Sequence, residues 1–231
     1  MEINKNISSM EIIPRIKKPD TLYQKIYDYL KIKILQNELQ SGDVVNETQL
    51  AQAFATSRSP VRDAIKMLEQ EGLLIQSGNS KVVSGFNWGD INNLIEIRKP
   101  LELMVYDLAI KNINKKDIYN LHLLIDEMKK VKNNDNYNLI KFDTEFHKYF
   151  AEITNNKMLI NIMSSVYDQL IRTSMISTLR FGWNKEKNIG YHTDILNCLK
   201  SNNFKKGREE LINHVNIWSD ALYEMKDRLN K

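Results

Sequence analysis

Apolar residues recur at helical spacing through the first third of the chain. One stripe begins near Thr21 and consists of Leu22, Ile26, Leu30, Ile34 and Leu35. The same period returns in two short stretches, 47–54 and about 59–71, which a tight turn at Ala55 and Thr56 separates. This pattern predicts three helices, of which the last two follow each other closely enough to pack together.

The pattern changes after Gly72, where the third helix is predicted to end. Two apolar runs, 73–75 and 82–83, flank a turn at residues 77–79. Short apolar runs around a glycine-containing turn are typical of a β-hairpin. The order of helix, turn, helix and hairpin predicts a winged helix-turn-helix.

The remainder of the chain returns to helical periodicity and lacks the alternation of a strand. It divides into six amphipathic segments, at about 90–112, 115–132, 136–154, 157–178, 186–201 and 203–229. Gly207 in the last of them is expected to weaken that helix by about 1 kcal/mol relative to alanine. We therefore predict a mainly α protein with an N-terminal arm (1–20), a winged helix (21–86) and an all-α bundle (90–231).

Basic and hydroxyl side chains gather on the third predicted helix. Arg58, Arg62 and Lys66 are four residues apart and form one stripe, while Ser57 and Ser59 lie where the helix begins. Arginine can grip guanine or phosphate in a bidentate way, and hydroxyls and free amides at a helix start bind phosphate oxygens. The net charge is only +4, so affinity for DNA depends on this local placement. The alternative is a helical hairpin with a solvated basic face.

Three of the four histidines are spaced like candidate metal ligands in the second domain. Asp143 and His147 are four residues apart and share one helix face, and His192 and His214 lie on the last two segments. Three imidazoles and one carboxylate suit a divalent ion, with zinc favoured over nickel or manganese. The alternative, hydrogen-bonded or solvated histidines, stays open on spacing alone. His122 is interpreted as partly exposed and outside the site.

The cysteine content and the length of the apolar runs indicate the cellular compartment. Cys198 is the single cysteine, so an internal disulfide is excluded, and no apolar run reaches the length of a membrane span. We expect a cytoplasmic protein without a membrane partner.

The first domain resembles the GntR-type winged-helix regulators through LQSGDVVNETQLAQAFATS and SRSPVRDAIKMLEQEGLL. The resemblance implies contacts with double-stranded DNA from Ser57, Arg58, Ser59, Arg62 and the wing residue Gly78. This wing reads Gly-Asn-Ser where the family often has Gly-Arg-Gly. We therefore expect sequence specificity to come mainly from the two arginines.

The second domain resembles the FCD ligand-binding domain of the FadR subgroup through IRKPLE, DTEFHKYFAEITNN, YHTDILNCLKSNNF and INHV. The resemblance implies that Asp143, His147, His192 and His214 are the metal ligands. It also places Arg98 and Glu102 at the effector cavity, where Arg98 is expected to pair with an effector carboxylate. A structural ion pair between Arg98 and Glu102 is the alternative.

These observations predict a metabolite-responsive transcription regulator, a repressor that binds a palindromic operator as a homodimer and is released by a small organic acid at the metal site. A metal-sensing repressor without an organic effector stays open as an alternative. A metal-dependent hydrolase is less favoured, because no glutamate motif supplies a general base beside the metal. We do not expect an enzyme.

Overall fold

The computed structural model describes residues 22–85, 87–181 and 184–229. The predicted N-terminal arm, residues 1–20, lies outside the described residues, as do Thr21 and Phe86 at the predicted ends of the winged helix. Within the described ranges, no helix is both long enough and apolar enough to cross a membrane.

The first domain is a winged helix-turn-helix, as predicted. Its elements are α1 (Leu22–Leu35), β1 (Val44–Val45), α2 (Glu47–Ala53), α3 (Arg58–Gln70), β2 (Leu74–Ser77) and β3 (Ser80–Val83). The three strands form an antiparallel sheet in the order β1-β3-β2. The sequence indicated only the β2–β3 hairpin, because a two-residue strand is too short to show alternation.

Local chemistry explains where α2 and α3 begin and end. The side chain of Asn46 caps α2 by accepting from the backbone amides of Thr48 and Gln49. Ala55 then adopts a positive φ of 49°, which turns the chain between the two helices. Gly72, with φ 71°, ends the helical stretch. The apolar face of α3 is buried through Val61, Ala64, Ile65 and Leu68.

The second domain is an all-α bundle, also as predicted. It comprises α4 (Trp88–Ala109), α5 (Lys115–Lys130), α6 (Asn136–Ile153), α7 (Lys157–Phe181), α8 (Lys185–Lys200) and α9 (Phe204–Leu229). Asparagine or aspartate side chains accept hydrogen bonds from the first turns of four of these helices, at Asn87, Asn114, Asp135 and Asn184. Each cap satisfies backbone amides of the first turn and so stabilises the start of its helix.

Three hydrophobic clusters hold the described residues together. One lies within the winged helix and a larger one within the bundle. The third joins the two domains, and its members are Leu35, Ile140, Ile171 and Met175. Helix α1 thereby packs against α7, so the bundle and the winged helix share an apolar contact.

Candidate metal centre and DNA-binding surface

Four candidate ligands meet in the interior of the bundle. Asp143 and His147 project from adjacent turns of α6, His192 from α8 and His214 from α9. All four side chains are buried, and one potential ligand atom from each lies within 4.8 Å of the others. We refer to these four residues as the His/Asp cluster. Helical periodicity explains why Asp143 and His147 lie on one face of α6. His192 and His214 come to the same place through the assembly of the bundle.

The nitrogen atoms of the cluster point toward one another. His147 Nε2 is 3.0 Å from His214 Nε2, and His192 Nε2 is 3.3 Å from Asp143 Oδ1. His192 Nε2 makes no hydrogen bond with any described residue, although it is fully buried. A buried polar nitrogen without a hydrogen bond is unfavourable unless another group satisfies it.

Burial favours the neutral form of two imidazoles of the cluster, those of His192 and His214. It lowers the pKa of His192 to about 4, although Asp143 opposes that shift. Burial also lowers the pKa of His214 well below its ordinary value, and the neighbouring His192 and His147 add to the effect. Neutral imidazoles keep the lone pairs that bind metal ions. The donor set and the orphaned His192 nitrogen therefore fit a divalent ion.

A second layer of polar groups contacts three of the four cluster residues. Glu102 Oε2 lies 3.1 Å from His147 Nδ1. Asn188 donates from Nδ2 to Asp143 Oδ1 at 2.9 Å, and its backbone carbonyl lies 2.9 Å from His192 Nδ1. Sequence reasoning missed Asn188, although its position four residues before His192 places both on one face of α8.

A cavity of about 200 Å³ adjoins the cluster. Arg98 lines it, with the guanidinium carbon 4.5 Å from the ring centroid of Trp218. Hydroxyl and amide groups from Thr144, Ser174 and Asn188 contribute to the same wall. The cavity thus combines an apolar body, a buried cation and a few polar groups, as small-molecule sites do.

Arg98 and Glu102 are both buried, at 3% and 2% exposure. Their closest atoms, Arg98 Nε and Glu102 Oε1, are 3.6 Å apart, and neither atom forms a hydrogen bond with a described residue. Burial raises the pKa of Glu102, but His147 and Arg98 outweigh it and the net shift is downward. An ion pair therefore exists, while Arg98 also faces the cavity. Effector contact by either residue stays a prediction. Arg98 lines the cavity, whereas Glu102 is not among the lining residues and its carboxylate contacts His147.

His122 lies apart from the cluster. Its side chain is 41% exposed, and Nε2 is 3.5 Å from Asp126 on the next turn of α5. It is a surface histidine, in keeping with its exclusion from the site.

The predicted DNA-contact residues are exposed at the tip of the winged helix. Ser57 is the N-cap of α3 and makes no capping hydrogen bond with its side chain, so its hydroxyl is available. Arg58 and Arg62 are more than half exposed on successive turns. Ser59 lies between them in sequence and is also exposed.

Sequence reasoning missed one further residue at this surface. Glu47 Oε2 lies 3.3 Å from Arg58 Nη2 and 3.4 Å from Arg62 Nε. Glu47 opens α2, and only the packing of α2 on α3 brings it to both arginines. One carboxylate oxygen of Glu47 thus pairs with both guanidinium groups.

The wing carries Gly78 at its exposed tip. Its φ of 56° is in the left-handed region that favours glycine, and its carbonyl accepts a hydrogen bond from the Gln76 side chain at 2.6 Å. The adjoining Asn79 and Ser80 are exposed and uncharged. The tip of the wing therefore carries no cationic side chain at residues 78–80, in contrast to Arg58 and Arg62 on α3.

Fold and site together define a class of protein, the DNA-binding regulator with a separate helical ligand-binding domain. The family model described as "Bacterial regulatory proteins, gntR family" matches residues 22–83, and the FCD domain model matches residues 93–216. The chain belongs to the GntR family of bacterial transcription regulators and carries an FCD domain.

Individual relatives agree with this assignment. The chain is 28% identical over 205 residues to the uncharacterized HTH-type transcriptional regulator YdhC of Bacillus subtilis (strain 168), covering 87% of this chain and 91% of YdhC. It is 27% identical over 158 residues to the gluconate operon transcriptional repressor of Bacillus licheniformis, and the match covers 65% of this chain and 64% of that repressor. The solved structure of E. coli McbR/YncC superimposes with a TM-score of 0.76 at 19% sequence identity. The superposition covers 89% of this chain and 99% of the McbR/YncC chain, which shows a shared fold.

Proposed function

We propose that this regulator is a repressor that binds its operator as a homodimer and leaves it when a small carboxylate binds beside a metal ion in the bundle. The observation that carries the proposal is that three members of the His/Asp cluster, Asp143, His147 and His214, line the same cavity as Arg98. In this proposal the cluster holds the ion, with zinc the first choice and nickel or manganese as alternatives.

Arg98 supplies the recognition of a carboxylate. Its guanidinium is buried over Trp218, and its Nε has no hydrogen bond with a described residue. A carboxylate in the cavity would accept a charge-assisted hydrogen bond there, stronger than one between neutral groups. A metal ion held by the cluster would offer coordination positions to oxygen ligands of the same molecule. The effector class is therefore a small organic acid, and the Bacillus licheniformis relative is named for a gluconate operon.

The homodimer follows from how a single recognition helix reads DNA. One α3 presents Arg58 and Arg62 to a half-site, and two copies related by a two-fold axis read a palindrome. We therefore propose two recognition helices for each operator. Effector binding would change operator affinity by favouring an arrangement of the two winged helices that does not fit the operator.

Helix α7 connects the cavity with the winged helix. One face lines the cavity through Tyr167, Leu170, Ser174 and Ser177. A second face contacts the winged helix, where Arg172 Nη1 donates to Ser84 Oγ at 2.8 Å and Nη2 donates to the Ser84 carbonyl. A change in how α7 packs on the cavity would therefore reach the DNA-binding domain through direct contacts.

Lys31 forms the other polar junction at this interface. Its Nζ lies 2.6 Å from Asp168 Oδ2 on α7 and 2.9 Å from Glu71 Oε2, directly after α3. The same ammonium contacts the hydroxyl of Tyr27, which donates to Glu71. Both carboxylate partners are at least partly shielded from solvent. One cation thus ties the bundle to the C-terminal end of the recognition helix.

Lys31→Met should uncouple the effector from DNA binding. Methionine keeps the apolar stem of lysine and removes the charge that joins Asp168 to Glu71. We expect the ratio of operator dissociation constants with and without effector to fall from about 5- to 150-fold toward one, while the metal content and the effector affinity of the DNA-free protein stay unchanged. Fluorescence anisotropy with labelled operator DNA measures the ratio.

Lys33→Met provides the matched control. Lys33 is on the same helix but pairs at the surface with Glu38, within the winged helix. Asp168→Asn tests the junction from the bundle side and should reproduce the Lys31→Met effect. A full effector response in both junction variants would exclude this route.

The proposed function as a whole is tested by separate titration of metal and acid. An operator is first selected from random DNA with the purified protein. Metal-free protein then receives zinc alone, acids alone, or both, from a panel of small organic acids that includes gluconate. We expect an acid to lower operator affinity by about 5- to 150-fold, and only when zinc is present.

Two other outcomes have distinct meanings. If zinc alone switches operator binding and no acid has an effect, the protein is a metal sensor whose four protein ligands complete a tetrahedral site. If neither zinc nor any acid changes operator binding, the bundle does not regulate DNA binding in the proposed way. Sedimentation of the protein–operator complex tests the homodimer independently.

A further inference from the structure

We infer that Asn188 is a positioning residue of the metal centre, which acts on two of the four ligands at once. The inference rests on the metal site of the proposed function. Asn188 is buried on α8, one turn before His192 and across from Asp143 on α6. Among the described residues outside the cluster, only Asn188 forms hydrogen bonds with the side chains of two cluster members.

The side chain of Asn188 restrains the carboxylate of Asp143. Its Nδ2 donates to Asp143 Oδ1 at 2.9 Å. An ionised carboxylate only accepts hydrogen bonds, so the amide must present its nitrogen to Asp143 and its oxygen elsewhere. The bond fixes the rotation of the carboxylate group about its Cβ–Cγ bond. The oxygen atoms of Asp143 thereby keep one orientation relative to the three imidazoles.

The backbone of Asn188 sets the tautomer of His192. Its carbonyl oxygen lies 2.9 Å from His192 Nδ1, and a carbonyl accepts only from a protonated nitrogen. The proton therefore resides on Nδ1, and the lone pair of Nε2 points into the cluster. Outer hydrogen bonds of this kind orient metal-binding histidines and raise their affinity for the ion.

The side-chain oxygen of Asn188 argues against fold stability as the main role of this residue. Oδ1 is buried and has no hydrogen-bond partner among the described residues. An unpaired buried acceptor is unfavourable for folding, and it offsets the bond that Nδ2 makes. We therefore assign to Asn188 the orientation of Asp143, which matters when the cluster holds an ion.

The test replaces Asn188 with leucine, which has a similar shape and no polar atoms, and separately with alanine. Zinc affinity is measured by competition with a chromophoric chelator, and the cobalt-substituted protein gives an absorption spectrum that reports ligand geometry. We expect zinc to bind about 10- to 100-fold more weakly in both variants, with an altered cobalt spectrum. The melting temperature of the metal-free protein should change little. Asn197→Leu, at an exposed position on the same helix, is the matched control and should behave as the parent protein.

Several results would contradict the positioning role of Asn188. Unchanged zinc affinity and an unchanged cobalt spectrum in both variants would overturn it. A drop in metal-free melting temperature large enough to explain the weaker zinc binding would also overturn it, because Asn188 would then be a structural residue. A parent protein that binds neither zinc nor cobalt would overturn the proposed metal site together with this inference. If the parent protein binds zinc and both Asn188 variants bind it equally tightly, the inference is overturned and the proposed metal site stands.

Discussion

His192→Ala should abolish stable metal binding and, with it, the response to effector. His192 is fully buried, its Nε2 faces the cluster without a hydrogen bond, and its Nδ1 is held by the Asn188 carbonyl. Removing a ligand should weaken metal binding by more than the roughly 10- to 100-fold expected for outer partners. Metal analysis of protein purified without chelator, followed by chelator competition, measures the loss.

His122→Ala is the matched control, because it removes an imidazole from an exposed position on α5. Metal content and effector response should equal those of the parent. The His192→Ala variant should still bind operator DNA, since the winged helix has its own hydrophobic cluster. Retention of stoichiometric zinc in His192→Ala would exclude this residue as a ligand, and loss of operator binding would point to a wider folding defect.

The helices could be predicted because their signals are local. The apolar stripe of α1 and the asparagine caps of α4 and α5 each depend on residues within one or two turns. The six predicted segments of the bundle match α4–α9 to within a turn at each end. Strand β1 was missed because its pairing with β3 joins Val44 to Val82, far apart in sequence.

The candidate site was only partly accessible from sequence. The spacing of Asp143 and His147 places both on one face of α6, and the family resemblance named His192 and His214 as their partners. Asn188 was missed because its amide binds a residue on another helix, and sequence spacing does not give the position of α8 relative to α6. Side-chain contacts between helices follow from the assembled bundle.

Gly207 illustrates how packing changes the meaning of a residue. Helix propensity predicts that this glycine weakens α9. In the fold, a Cβ at this position would collide with the hydroxyl of Tyr106, which donates to the Phe204 carbonyl at 3.0 Å. Its Cβ would also lie 3.2 Å from Cys198 Cβ. The glycine allows α4, α8 and α9 to approach closely at this point.

Arg62→Ala should weaken operator binding while metal content stays unchanged. Arg62 is 53% exposed on the first turns of α3, where it and Arg58 share Glu47 as a partner. A bidentate arginine contributes about 1–3 kcal/mol of discrimination between bases, which corresponds to roughly 5- to 150-fold in the dissociation constant. Arg58→Ala should have an effect of the same order. Arg208→Ala is the matched control, because Arg208 is a surface residue of the bundle that pairs with Asp107.

Arg62→Lys separates base recognition from simple charge. Lysine keeps the positive charge but lacks the planar fork, so a contact to guanine should be lost while attraction to phosphates remains. We expect this variant to lose affinity for the operator and to retain the parent's affinity for random DNA, measured at one salt concentration because electrostatic binding depends on salt. Operator affinity equal to that of the parent would assign Arg62 to the DNA backbone. Parent-like binding by both Arg58→Ala and Arg62→Ala would show that α3 is not the recognition helix.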